Sequence, residues 1–267
     1  MADATRWVRL DGAVNVRDLG GLATTDGGTT ARGRAYRADN LQGLSAADVR
    51  RLVDQLNVRT VVDLRTVVEV EKEGPGPLTR EPAVVHRHCS LFPEGGRMTD
   101  VDADTLLPWQ TGEEPETAEE DEELSPTVRY YLGYLRDRPD SIAAALRAMS
   151  EPDGGGTAIV HCAAGKDRTG VVVALALSAA EATREAIIAD YVATGEILDA
   201  ILDRLRRSAT YAGDLDDRPA DSHRPRASTM QRFLEILDER YGGPLGWLDK
   251  AGFGADDVAA LRARLRD

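Results

Sequence analysis

One segment, residues 161–170 (HCAAGKDRTG), most constrains what this chain can fold into. It follows a strand-like run at residues 157–160 and precedes an apolar run at residues 171–180. A strand, a tight loop and a helix in this order turn successive backbone N–H groups toward one point beside a helix N-terminus. Such a loop favours a bound anion, and the same field favours thiolate over thiol at Cys162. Arg168, six positions later, can grip two oxygens of the anion with its planar guanidinium.

This pattern predicts chemistry at phosphorus. A nucleophilic cysteine at the floor of an oxyanion-binding loop can form a cysteinyl-phosphate intermediate, while loop amides and the arginine stabilise the equatorial oxygens. The chemistry needs no cofactor and no metal ion. The residues expected to bind the phosphate are Ala163, Ala164, Gly165, Lys166, Asp167, Arg168 and Thr169. The plainer alternative, a core cysteine beside an exposed basic pair, leaves Gly165 and the Lys-Asp-Arg run unexplained.

Length, composition and charge narrow the class of protein. The 267 residues are enough for a well-buried domain, and 42% hydrophobic with 30% charged residues is typical of a soluble globular enzyme. A net charge of −13 argues against a nucleic-acid partner, although residues 112–123 (GEEPETAEEDEE) contribute eight acidic residues and no basic one. The longest apolar stretch, about ten residues from Val171, is too short to span a bilayer. Residues 1–10 lack an apolar core, which predicts no signal peptide and a cytoplasmic location, with signal-independent secretion left open.

Alternating strand and helix patterns predict an α/β fold with a central, mostly parallel sheet flanked by helices. Ser45 is expected to cap a helix over residues 46–56. Residues 7–10 through 15–21 are expected to form a short strand and a turn, and further strands are expected at residues 33–37, 59–65, 83–88 and 157–161. We expect a single domain over residues 1–267, with an acidic insertion around residues 93–125 that is either a solvated loop or a lid near the pocket.

Several segments together carry a family resemblance. They are residues 15–21 (NVRDLGG), residues 61–65 (VVDLR), the HCxxGKDRTG loop and the C-terminal Tyr-Gly-Gly at residues 241–243. The chain resembles the atypical bacterial protein tyrosine phosphatases, a group with secreted mycobacterial and Listeria enzymes of dual or triple specificity. The resemblance covers most of the chain and implies a cysteine-phosphatase-like fold that acts on phosphotyrosine, with phosphoserine, phosphothreonine or phosphoinositides as further substrates. It implies a phosphorylated protein or small phosphomonoester as partner, and inhibition by phosphate-like oxyanions.

The leaving alkoxide or phenoxide needs a proton donor. Classical tyrosine phosphatases supply it from a Trp-Pro-Asp motif, which this chain lacks. In the family that the chain resembles, the aspartate inside the loop is proposed as the acid, and here that residue is Asp167. A role as charge partner of Lys166 or Arg168 is also open to it. Asp63, at the carboxyl end of a buried strand, is the next candidate, because ligands bind at that edge of an α/β sheet. Further candidates in the insertion are Asp100, Asp102 and Asp104.

Other residues are candidates for supporting roles. His161 is expected to pack under the loop and hydrogen-bond its backbone, or to be an ordinary buried histidine. Thr169 either offers its hydroxyl to the sulfur or caps the helix. Lys166 adds a positive charge at the mouth, which suits either a substrate with several phosphates or any dianion. Arg17 and Arg65 either brace the loop or form ordinary ion pairs.

Two other kinds of function remain open. One is a catalytically idle phosphate-binding module, and the other is a rhodanese-like sulfurtransferase or an arsenate reductase. Sulfurtransferases lack the Arg-Thr-Gly ending of the loop, and an arsenate reductase needs a resolving thiol. Cys89 is badly placed for that task, because in the family fold the strand of Asp63 lies between it and Cys162. His86 and His88 share one face of a strand, but no further ligand stands at metal spacing.

Overall fold

The computed structural model describes residues 6–74, 76–92, 123–208, 210–211 and 220–266. Its strands are β1 (Arg17–Asp18), β2 (Ala35–Ala38), β3 (Val58–Asp63), β4 (Val85–His88) and β5 (Thr157–His161). Across the described residues they form one sheet in the order β1-β2-β5-β3-β4. β1 runs antiparallel to β2, and every other neighbouring pair in this sheet is parallel. The carboxyl ends of β2, β3 and β5 therefore meet at one edge.

Helices pack on both faces of this sheet. A short α1 (Ala46–Arg50) continues as a π-helical turn over Arg51–Gln55. The helices that follow it are α2 (Val67–Glu73), α3 (Pro126–Asp137), α4 (Pro139–Ser150), α5 (Asp167–Ala179), α6 (Arg184–Ala193), α7 (Leu198–Arg206), α8 (Ala227–Tyr241), α9 (Pro244–Lys250) and α10 (Ala255–Leu265). Short 3₁₀ turns cover Pro77–Arg80, Asp153–Gly155, Thr194–Ile197 and Ala220–His223.

The helix ends follow from local chemistry. Ser45 caps α1, since its hydroxyl accepts from the Asp48 N–H at 3.2 Å and the Asp48 carboxylate accepts from the Ser45 N–H at 2.9 Å. At the other end of the chain, Gly242 ends α8 with a left-handed φ of 71° and donates its N–H to Asp238 O at 3.0 Å. The cap at Ser45 confirms the prediction from the sequence.

The central strand β5 supplies both halves of the core. Ala158 and Val160 pack with the helix α5 on one face, whereas Ile159 packs with Leu52 of the segment after α1 on the other. The helix α5 lies against β5 and is buried over almost all of its length, which its nearly uniform apolar sequence requires. Only five residues therefore connect β5, in the middle of the sheet, to the buried helix α5. That short connection is the loop predicted to bind phosphate.

The predicted α/β fold with a mostly parallel sheet is confirmed. The strand expected at residues 157–161 has the predicted ends, and the strand expected at residues 83–88 begins two residues later than predicted. The acidic insertion lies outside the described residues from 93 to 122, and so do the candidate acids Asp100, Asp102 and Asp104. Its role as loop or lid stays a prediction, as does the single domain. In the part of the chain that the structure describes, no helix is long and apolar enough to cross a membrane.

Candidate active site

Cys162 directly follows β5, and the loop that it begins reaches α5 at Asp167. The turn depends on Gly165, whose φ is 64°. A Cβ atom at this position would lie 2.3 Å from the Ala38 carbonyl oxygen, so that a side chain would push the loop off the end of β2. The glycine predicted to be part of the phosphate loop is therefore needed for both its backbone angle and its close contact.

Three side-chain and backbone donors hold the loop carbonyls on the side away from the pocket. Asn15 Nδ2 donates to Ala164 O at 2.9 Å and to Gly165 O at 3.1 Å. Arg37 Nη2 donates to Gly165 O at 2.6 Å, and the Asn40 N–H donates to Ala163 O at 2.9 Å. In a trans peptide the C=O and the following N–H point in opposite directions, so these contacts turn the loop amides toward the pocket. This is the geometry of an oxyanion nest.

A buried charge cluster stands behind these donors. Asp190 of α6 pairs with Arg6, with Arg17 Nε at 3.1 Å and with Arg37 Nη1 at 2.6 Å. Burial alone would raise the pKa of Asp190, but the three arginines hold it well below its usual range. Burial and the charge of Arg37 lower the pKa of Arg17 to about 9. Arg17 also donates to Asn15 Oδ1, so it is a buried part of the loop's support and not a surface ion pair.

His161 makes the contact expected of it. Its Nδ1 lies 3.1 Å from the Cys162 carbonyl oxygen, and because a carbonyl only accepts, Nδ1 carries the proton. Burial lowers the pKa of His161 to about 4, so the ring is neutral at neutral pH. Thr169 lies inside α5, whose N-cap is Lys166, and the capping role proposed for Thr169 is therefore wrong. Its buried hydroxyl makes no hydrogen bond to any residue that the structure describes.

Arg168 is held by a carboxylate that the sequence analysis missed. Glu69 of α2 accepts from Arg168 Nη1 at 2.5 Å and from Nη2 at 2.7 Å, and the guanidinium also lies 5.5 Å from the centre of the Phe92 ring. Burial would lower the pKa of Arg168, but Glu69 raises it well above the usual value. The capping box Thr66-x-x-Glu69 was a sequence signal for this helix, and it fixes the same carboxylate. The arginine is thus oriented before any substrate arrives.

Asp167 lies at the mouth of the loop with 34% of its side chain exposed. Its Oδ1 accepts from the Tyr131 hydroxyl at 2.7 Å, and its Oδ2 lies 3.5 Å from Lys166 Nζ. Lys166 Nζ in turn donates to the His223 carbonyl oxygen at 2.7 Å. The predicted charge contact between Asp167 and Lys166 is therefore present, while Arg168 has Glu69 as its partner.

Asp63, the second candidate acid, has a different environment. Its carboxylate accepts from Arg65 Nη2 at 2.6 Å and from Arg65 Nε at 2.9 Å, and it lies 3.6 Å from His161 Nε2. Burial would raise the pKa of Asp63, but His161 and Arg65 hold it well below its usual range. Asp63 lines a separate cavity, together with Arg65 and His161, and not the pocket of Cys162. This geometry disfavours Asp63 as a proton donor and gives it, with Arg65, a place under the loop beside His161.

The loop opens into a pocket of about 200 Å³. Cys162 and Arg168 lie among its lining residues together with Lys166 and Asp167. The helix α3 contributes Tyr130, Tyr131 and Tyr134 to the lining, and α7 contributes Leu198, Ile201, Leu202 and Leu205. The pocket lining therefore combines charged side chains of the loop with aromatic side chains of α3 and aliphatic side chains of α7.

The second cysteine stands apart from this pocket. The sheet order places β3, with Asp63, between β5 and β4, so Cys89 and Cys162 follow strands that are not neighbours. Both cysteines are free and buried, and burial raises the pKa of Cys89 to about 11. Among the described residues, no group of three His, Cys, Asp or Glu side chains is arranged to hold a metal ion.

Comparisons with known proteins agree with this geometry. The family model described as "Tyrosine phosphatase family" matches residues 8–267. The triple specificity protein phosphatase PtpB of Mycobacterium tuberculosis is 30% identical over 280 residues, which cover 96% of this chain and 98% of PtpB. A tyrosine-protein phosphatase of Nostoc commune is 28% identical over 254 residues, covering 89% of this chain and 80% of that enzyme. This chain therefore belongs to the tyrosine phosphatase family and is a protein tyrosine phosphatase.

Proposed function

We propose that this protein hydrolyses phosphomonoesters in two steps through Cys162. In the first step Sγ attacks phosphorus, the bond to the leaving oxygen breaks with its electron pair going to that oxygen, and Asp167 gives the oxygen a proton. In the second step water attacks phosphorus and gives a proton to the Asp167 carboxylate. The S–P bond then breaks, which regenerates the thiolate and releases inorganic phosphate.

One observation supports this proposal above the others. Cys162, Asp167 and Arg168 line the same pocket, and Asn15 and Arg37 hold the loop through hydrogen bonds to its Ala164 and Gly165 carbonyls. The loop amides and the guanidinium can then stabilise the three equatorial oxygens as charge develops on them. Because Glu69 fixes the guanidinium in advance, little reorganisation is needed when the phosphate binds.

The choice of Asp167 as the acid follows from its position and from the environments of the other candidates. A general acid must reach the leaving oxygen, and Asp167 lines the pocket with part of its carboxyl exposed. Asp63 does not line the pocket, and a carboxyl paired with Arg65 has no proton to give at neutral pH. His161 is neutral, but its protonated Nδ1 is used by the Cys162 carbonyl.

We propose phosphotyrosine as the main substrate, on a protein or on a small molecule. The tyrosines of α3 and the aliphatic side chains of α7 that line the pocket suit contact with a planar aromatic ring. The printed name of the mycobacterial relative describes triple specificity, and we propose phosphoserine, phosphothreonine and phosphoinositides as further substrates of this chain. Lys166 supplies an extra cation at the mouth for a substrate with more than one phosphate. Location in the cytoplasm stays a prediction from the sequence.

Turnover of para-nitrophenyl phosphate in the presence of a chelator tests the mechanism. We expect hydrolysis without added metal, abolished by Cys162→Ser and reduced about a hundredfold by Asp167→Asn, the scale of general acid–base catalysis. Trapping the phosphoenzyme after rapid acid quenching should show phosphate bound to sulfur. Vanadate should inhibit competitively, since it mimics the phosphoryl group in the nest. Turnover that survives Cys162→Ser would overturn the mechanism, and native activity of Asp167→Asn would remove the acid role of Asp167.

The same measurements separate the alternatives. An idle phosphate-binding module would bind vanadate and show no turnover. An arsenate reductase would need a second thiol near the first, and Cys89, across β3 and with a raised pKa, does not support that reading. A sulfurtransferase would label Cys162 with sulfur from thiosulfate, which we do not expect.

A further inference from the structure

Two tyrosine hydroxyls connect the proposed acid to the helices around it. The Tyr131 hydroxyl donates to Asp167 Oδ1 at 2.7 Å and lies 2.8 Å from the Tyr191 hydroxyl. Tyr131 belongs to α3 and Tyr191 to α6, so Asp167 is linked directly to α3 and, through Tyr131, to α6. Because Tyr131 uses its only proton toward Asp167, Tyr191 donates to the Tyr131 oxygen.

The Tyr131 ring is fixed by its neighbours. The side chain is 0% exposed, and its ring packs edge-on against Phe233, with ring centres 5.7 Å apart, and against Tyr191 at 6.4 Å. A ring held on several sides has few rotamers available, so its hydroxyl stays at one place. Asp167, by contrast, is partly exposed at the first turn of α5 and needs an external contact to hold one orientation.

Both hydroxyls remain protonated donors. Burial raises the pKa of Tyr131 well above the usual tyrosine value, and the nearby Asp167 charge raises it further. Burial likewise raises the pKa of Tyr191 above the usual value. The contact therefore places a neutral donor on Oδ1, which orients the carboxyl group without adding a charge beside it.

We propose that Tyr131 is a positioning residue for the proton donor Asp167, and that Tyr191 holds Tyr131 in turn. By occupying Oδ1, the Tyr131 hydroxyl fixes the rotation of the Asp167 carboxyl, so that the catalytic proton is exchanged through Oδ2 at the pocket mouth. Oδ2–H then donates to the leaving oxygen as the P–O bond breaks, and the same oxygen later accepts the proton of water. The inference rests on the proposed role of Asp167 as the acid.

The test uses esters that differ in their need for an acid. Phenyl phosphate has a poor leaving group and needs protonation, whereas 2,4-dinitrophenyl phosphate releases a stable anion and needs little help. The quantity to compare is kcat/KM, because it reports only the steps up to cleavage of the ester. For Tyr131→Phe we expect kcat/KM to fall about tenfold on phenyl phosphate and to stay within about twofold on the dinitrophenyl ester.

Two further variants make the comparison specific. In the Asp167→Asn background, Tyr131→Phe should cause no additional loss on phenyl phosphate, since the proton that it positions is absent. Tyr191→Phe should lower kcat/KM by a smaller factor, and that loss should again be larger on phenyl phosphate than on the dinitrophenyl ester. Tyr241→Phe is the matched control, because it removes a tyrosine hydroxyl on α8 that lies outside the pocket lining, and it should leave both rates unchanged.

The outcomes separate this inference from the proposed function. Equal losses on both esters for Tyr131→Phe would mean a structural role and would overturn the inference. If Asp167→Asn lowers kcat/KM equally on the two esters, the assignment of Asp167 as the acid fails, whatever the result for Tyr131→Phe. If the loss is larger on phenyl phosphate for Asp167→Asn but equal on both esters for Tyr131→Phe, only the positioning role of Tyr131 fails. If Tyr131→Phe shows no cooperative thermal transition, and is therefore not folded, the comparison of the two esters is made with Tyr191→Phe instead, and the same outcomes apply.

Discussion

Two of the buried arginine–carboxylate pairs near the catalytic loop differ in what the arginine can still do. Arg65 is bound to Asp63 two residues away in the same segment, beneath the loop. Arg168 is bound to Glu69, a residue 99 positions distant, and lines the pocket. Both pairs bury charge, which is favourable only when each partner is fully hydrogen-bonded. Only the second pair places a guanidinium where a phosphate would bind.

Glu69→Gln tests the importance of this pair. Glutamine still suits the capping box at the start of α2, but it leaves Arg168 without a counter-charge and with fewer acceptors. We expect the free energy of unfolding to fall by about 3 kcal/mol, the scale of a buried pair that loses one partner. We also expect kcat/KM for para-nitrophenyl phosphate to fall about tenfold, because the guanidinium is no longer fixed. Urea denaturation and steady-state kinetics measure the two effects.

A surface pair provides the control for that substitution. Arg147 and Asp257 also form a two-pronged contact, with distances of 2.9 and 2.7 Å, but both side chains are substantially exposed. Asp257→Asn should change stability by less than about 1 kcal/mol and leave kinetics unchanged. Similar losses for both variants would contradict a special role for Glu69.

At the scale of elements, helix α6 braces the catalytic loop through two consecutive residues. Asp190 acts on the loop through Arg37, which donates to Gly165 O, and Tyr191 acts through Tyr131, which donates to Asp167. The loop is therefore held at Gly165 by β2 and α6, and at Asp167 by α3. A loop of few residues can be rigid in this way because neighbouring elements supply its hydrogen bonds.

The fit of the loop against β2 gives a prediction about Gly165→Ala. Alanine at φ 64° is strained, and its Cβ would meet the Ala38 oxygen at 2.3 Å, so the loop must move. Because a displacement of about 1 Å can cost about a hundredfold in rate, we expect kcat/KM to fall by at least that factor. Gly252→Ala is a matched control, since Gly252 has φ 77° but nothing within 4 Å of its Cβ position. The control should lose about 1 kcal/mol of stability and no activity, and equal kinetic losses would contradict this account.

At the scale of the whole molecule, a contact can be predicted from the sequence only when the residues that make it lie close together along the chain. The phosphate loop is one continuous segment, so its cysteine, glycine and arginine can be recognised together. The buried strands can be recognised for the same reason, because runs such as Thr157–His161 show their burial locally. Glu69, Asp190 and Tyr131 escape prediction because their partners are 99, 153 and 36 residues away along the chain. Only the packing of α2, α6 and α3 around the loop brings them to the site.

The net charge of −13 gives a last prediction about the molecule as a whole. Substrates carry a phosphate dianion, and a negative protein field slows their approach unless salt screens it. Residues 113–123 contribute eight of the acidic side chains, and their replacement by glutamine and asparagine removes that charge without shortening the chain. We expect kcat/KM for para-nitrophenyl phosphate to rise about threefold at low ionic strength and to converge with the native value at high salt. Since kcat reports the bound complex, it should not change, and an unaltered kcat/KM at low salt would show that this segment does not influence substrate approach.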